Sequence, residues 1–269
     1  MLWFVLVVLL VGSGVAVWLI RNPKRLANQF ATNMRLPLPP ERVEEVGRRV
    51  GLYQTVALAT TVLLFAVGLE LLNIRWRHTA HDTEAGLLIG AAFGIQGLYI
   101  SGGYPIAYLI DRRRRASSGT VTHPVPPRTA DFLTPWLTWL ARAVAVLPLA
   151  SWLVLSDRFW SGGLLSVAPI AVVAATEWAQ LRIASGPHRA ATGLDLAYDD
   201  GFRSLAIVSL AGLPAVAALV AASGISYHTR SELGLQVVMV ALVAATVFRI
   251  LTLVPGMSRR FRHRLSAVS

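Results

Sequence analysis

The feature that most constrains this chain is a succession of long apolar segments, each ending in polar, arginine-rich sequence. A bilayer core is crossed by about 20 apolar residues in a helix. Seven stretches of roughly that length can be drawn, over residues 2–20, 52–74, 86–110, 136–156, 163–183, 204–225 and 235–254. Inside lipid every backbone amide must find its partner within its own segment, so the stretches predict helices. The expected fold class is all-α: a polytopic membrane helix bundle of seven transmembrane helices, forming one integral-membrane domain over residues 1–269. Composition agrees. The chain is 55% hydrophobic and 14% charged, where a soluble domain carries about a quarter charged residues.

Arginine and lysine set the expected orientation. With the N-terminus outside, the inner segments (21–50, 111–135, 182–203 and the tail) hold nineteen basic residues and the outer turns hold four. The positive-inside rule then places the N-terminus outside, the C-terminus inside and the protein in a cell membrane, the bacterial cytoplasmic membrane being the expected one. The first span has no basic residue before it and Arg21, Lys24 and Arg25 after it. A cleaved signal peptide shows the reverse order, so this helix is expected to be retained.

The net charge of +11 does not point to nucleic acid. The basic residues flank apolar spans, where their expected partners are the anionic headgroups of the inner leaflet. There is no cysteine, which excludes disulfides, thiolate metal sites and cysteine nucleophiles. No span contains histidine, the seventh contains no lysine, and neither a phosphate-binding loop nor a His-Glu-x-x-His motif occurs. No cofactor and no metal is expected.

Charges inside the spans are the candidate functional residues. Residues 169–182 form the inner half of the fifth span and carry Glu177, which would cost about 2.5–3.5 kcal/mol alone at a helix centre and therefore needs a partner. Arg142 and Arg249 lie at about the same depth, each roughly 9–10 Å below the inner boundary by helical rise. Glu177 shares a helical face with Ala174 and Gln180, and small or polar neighbours mark helix contact. Near the same level, Ser101, Gly102, Gly103, Tyr104 and Pro105 predict a broken helix, the type of irregularity that lines transporter sites. The leading reading is non-enzymatic: a small or lipid-like anionic molecule bound or transported at a cytoplasm-side cavity lined by Arg142, Glu177, Arg249, Ser101, Tyr104 and Gln180. The arginines would take the anion, and Glu177 would hold them apart or exchange a proton. Snorkelling or a structural salt bridge is the bland alternative for the same residues.

A second reading is a membrane scaffold subunit that docks a soluble or membrane partner through Arg112, Arg113, Arg114 and Arg115 and through Asp195, Asp199 and Asp200, or pairs with another copy. Asp195 and Asp199, four apart on one helix face, would otherwise pair with arginines of the inner segments. An intramembrane enzyme is a third reading.

Overall fold

In a computed structural model, residues 22–76, 102–113, 127–154, 160–186, 192–229, 236–241 and 243 are described. Among them the chain is almost wholly helical and contains no strand. The predicted spans over 2–20 and most of 86–110 and 235–254 lie outside the described residues.

Helix α1 (Pro23–Met34) begins with proline at its first position, where the missing amide costs nothing. Leu26, Ala27, Phe30, Ala31 and Met34 recur on one face and are buried. It ends on Arg35 in the left-handed region, φ 54°, and Leu36 N–H returns to the Ala31 carbonyl at 2.9 Å, which closes the helix end. The second span was expected to begin at residue 52. Instead, a 3-10 turn (Pro40–Arg42) leads into one unbroken helix, α2 (Val43–Trp76). Its apolar face passes through Val46, Val50, Tyr53 and Ala57, and no proline interrupts it at the boundary. Helix α1 packs along the start of α2 so closely that a Cβ on Gly47 would collide with the Pro23 carbonyl.

Helix α3 comprises residues 102–113. The predicted break at Ser101–Pro105 is not seen in its described part: residues 102–105 are already helical, and Ser101 lies outside the described residues. Helix α3 also runs beyond the expected end of its span, so Asp111 and Arg112 belong to its last turn. Gly103 sits directly on Ala57 of α2, where any side chain would meet backbone. The segment before residue 135 contains one turn of helix, α4 (Thr129–Phe132). The Asp131 carboxylate accepts from the Arg128 amide at 2.7 Å, and Phe132 and Leu133 are buried in the core.

Helices α5 (Pro135–Val154) and α6 (Trp160–Ala184) match the expected fourth and fifth spans closely. The sixth begins earlier than predicted. Thr192 caps α7 (Gly193–Ala211), its hydroxyl accepting from the Asp195 amide at 3.1 Å. After Gly212, α8 (Leu213–Thr229) continues with Pro214 in its first turn. Residues 236–241 form α9.

Three described stretches are long and apolar enough to cross a membrane: Pro135–Val154, Gly163–Ala184 and Gly193–Ile225. They point to a membrane protein. In the last of them 72% of the most apolar window is buried, against 33% and 22% in the other two, so α7–α8 forms the centre and α5 and α6 the flank. The flank exposes Trp136, Trp139, Val154, Leu164, Trp178 and Leu181, an apolar surface suited to acyl chains and not to water.

Candidate functional site

Two groups of charges stand out, one on the flank and one in the core. On the flank, α5 and α6 lie side by side and bring Arg142 against Glu177. The guanidinium donates from Nε to Glu177 Oε1 at 2.7 Å and from Nη2 to Oε2 at 2.9 Å. This is the bidentate fork that arginine forms with a carboxylate. Trp139, one turn before Arg142, places its ring 4.9 Å from the same guanidinium, near enough for a cation–π contact. The pair is not enclosed: the side chains are 43% and 30% exposed, between Trp139 at 66% and Trp178 at 61%. Arg249, expected as the third charge, lies outside the described residues.

The other predicted lining residues point elsewhere. Gln180 is buried and its amide donates to the Ile207 carbonyl of α7 at 3.1 Å, which fastens α6 to the central helix. Tyr104 accepts from Gln54 of α2 at 3.0 Å. Neither is joined to the Arg142–Glu177 pair by a hydrogen bond or an ion pair that is described.

In the core, charges from the inner segments meet. Arg49 of α2 donates from Nε and Nη2 to the same Asp111 oxygen, Oδ2, at 3.1 and 2.7 Å, and both side chains are almost wholly buried. The Arg49 guanidinium lies 4.0 Å from the centroid of Phe202, whose other neighbours are Phe30 at 4.3 Å and Tyr53 at 4.9 Å. Asp199 reaches Arg49 at 3.4 Å and Arg203 at 3.8 Å. Arg203 is completely buried. It donates from Nε and Nη2 to the Tyr108 hydroxyl at 3.1 and 3.0 Å, and from Nη1 to the Ala184 carbonyl at the end of α6 at 3.0 Å. A buried charge is tolerated only when paired and hydrogen-bonded, and this set satisfies that demand with contacts from α2, α3, α6 and α7.

The residues assigned to partner docking divide. Asp195 pairs with Arg42 at 2.6 Å; Asp199 belongs to the buried network; Asp200 is fully buried and presents no surface to a partner. Arg112 packs against Gly186, whose absent Cβ would otherwise meet the guanidinium, and Arg113 is exposed. Arg114 and Arg115 lie outside the described residues.

Arg49, Tyr108, Asp111 and Arg203 were not singled out from sequence, because each sits at a span boundary where a charge is unremarkable. One signal was legible. Arg49 falls between Val46, Val50 and Tyr53 on the apolar side of α2, and a charge on a core-facing stripe needs a partner.

No protein-family model, curated protein or solved structure matches this chain. The reading of function therefore rests on the geometry alone.

Proposed function

We propose that the chain is a seven-span protein of the bacterial cytoplasmic membrane, N-terminus outside, which binds or transports a small or lipid-like anionic molecule near its cytoplasmic face. The Arg142–Glu177 fork is the observation that carries this reading. It is a half-exposed charge pair on the outer side of two apolar helices, in the inner third of the bilayer by the topology above. A wholly structural pair gains from full enclosure or from open water; this one has neither. Glu177 occupies two donors of Arg142, and the guanidinium carries more. An anionic headgroup approaching from the inner leaflet would meet the remaining donors and compete with Glu177 for the others. Trp139 and Trp178 flank the position in the manner of interfacial aromatics.

The topology draws support from the core network. Arg49, Asp111, Asp199 and Arg203 come from three segments that the distribution of basic residues assigns to the cytoplasm; Arg49 meets Asp111 and Asp199, and Asp199 meets Arg203.

Retention of an anionic phospholipid through purification, read by native mass spectrometry, tests the site. Glu177→Gln leaves Arg142 without its competitor, so retention should rise severalfold, while any turnover that needs release should fall. Arg142→Gln should abolish retention. If both variants retain lipid as the parent does and only lose thermal stability, the fork is structural and the proposal is overturned.

The scaffold reading draws on a different feature: the exposed apolar residues of α5 and α6 surrounding the fork would suit a membrane helix of another protein. Co-purification of a stoichiometric partner, lost in a Trp139→Ala, Trp178→Ala double variant, would favour it.

A further inference from the structure

The network around Arg49 and Arg203 ties together four elements, and its composition says what it restrains. Arg49 holds α2 to α3 through Asp111. Arg203 holds α7 to α3 through Tyr108 and to the end of α6 through the Ala184 carbonyl, with the Gly186 carbonyl a longer contact at 3.5 Å. Asp199 lies between the two guanidiniums. One turn further out, Arg42 reaches Asp195 at 2.6 Å, and Tyr198 donates to the Pro37 carbonyl at 2.7 Å, which ties the segment before α2 to the start of α7. Arg42 of the 3-10 turn and Arg49 of α2 thus face carboxylates four apart on α7.

We infer that these contacts form a clasp that shuts the cytoplasmic end of the bundle and opens as a unit. No one of α2, α3 or α7 can shift at that end while the others stay, because the move would strand a charge among Phe30, Tyr53 and Phe202. Such a charge has one escape, which is water entering from the cytosolic side. The clasp is thus a two-state element: closed, with its pairs made and Arg49, Asp111 and Arg203 enclosed, or open, with its pairs broken and these groups wetted. The inference rests on the cytoplasmic placement proposed above, and is independent of whether Arg142 binds an anion.

The absence of cysteine makes the test simple. Ser204 is buried beside Arg203, and Ser204→Cys supplies the only thiol at nearly the same volume. In the full-length protein in inside-out vesicles, a water-soluble maleimide should label it slowly. Adding Asp111→Asn removes the nearer and more buried of the two carboxylates on Arg49, leaving only the longer contact to Asp199 at 3.4 Å, and should raise the labelling rate at least tenfold. Adding Arg49→Gln to that variant removes the stranded charge and should bring the rate back toward the parent. The return distinguishes an opened clasp from a misfolded protein. A rate unchanged by Asp111→Asn overturns the inference, and so does a double variant that labels as fast as the single. The lipid-retention assay on the same variants reports separately on the fork.

Discussion

Arg203 and Arg142 are the same residue type under opposite conditions, and the contrast sets what each substitution should do. Arg203 is entirely buried and donates to Tyr108 and to the Ala184 carbonyl. Arg203→Ala would empty a large volume and leave the Tyr108 hydroxyl and a carbonyl unpaired. Removing one member of a buried charged network costs about 3–5 kcal/mol, and we expect a loss of that size in a reversible unfolding measurement in detergent. Tyr108→Phe removes the acceptor of two Arg203 donors and should cost about 1–3 kcal/mol, the penalty for a buried group left unsatisfied. Arg142→Gln, at a half-exposed site, should shift the unfolding midpoint little while changing lipid retention. At this scale the sequence was partly legible. Glu177 and Arg142 stood out because apolar residues surround them on both sides. Arg49, Asp111 and Arg203 did not, because they adjoin polar segments where charges are expected, and only the packing of distant segments buries them.

Pro135 marks the start of α5, close to where the sequence placed it. The start of α7 was missed by about a dozen residues, although Thr192 with Asp195 three residues on carries a cap signal. Where no breaker stands, polarity misleads: residues 43–50 carry four charges and 52–74 only Glu70, yet both belong to α2. Hydropathy reports the surroundings of a helix, and helix continuity depends on the backbone. Gly103 of α3, at the α2–α3 contact, and Gly51 of α2, away from it, give a test at this scale. A Cβ on Gly103 meets the backbone of Ala57, whereas one on Gly51 meets nothing within 4 Å. Gly103→Ala should therefore cost about 1–3 kcal/mol through forced separation of the helices. Gly51→Ala, in the same helix pair, should be neutral or stabilise by roughly 0.5–1 kcal/mol, since alanine loses less chain entropy in a helix. Thermal unfolding of the two variants side by side decides it. If both destabilise equally, the close α2–α3 crossing is wrong.

For the molecule as a whole, burial inverts the usual expectation that the most apolar helix faces lipid. The stretch Gly193–Ile225 is the most enclosed, and the flanking pair carries the exposed aromatics. Among the described residues the centre therefore encloses Asp200 and Arg203, while the flank exposes its apolar side chains. Orientation gives the last prediction. Arg113 is exposed at the end of α3, so a single cysteine there should resist a membrane-impermeant maleimide in intact spheroplasts and react once they are lysed. Reaction in intact cells would reverse the topology and move the clasp to the opposite face.

The placement of α7 also bears on how the protein is made. Arg203 and Asp199 face each other across one turn of α7 at 3.8 Å, and the groups they meet on other helices, Arg49, Tyr108 and Ala184, all precede them in the chain. When α7 leaves the ribosome, those groups have already been synthesised. Burial of these two charges thus waits on no later segment, and moving α7 ahead of α2 and α3 in a permuted gene would deprive it of them.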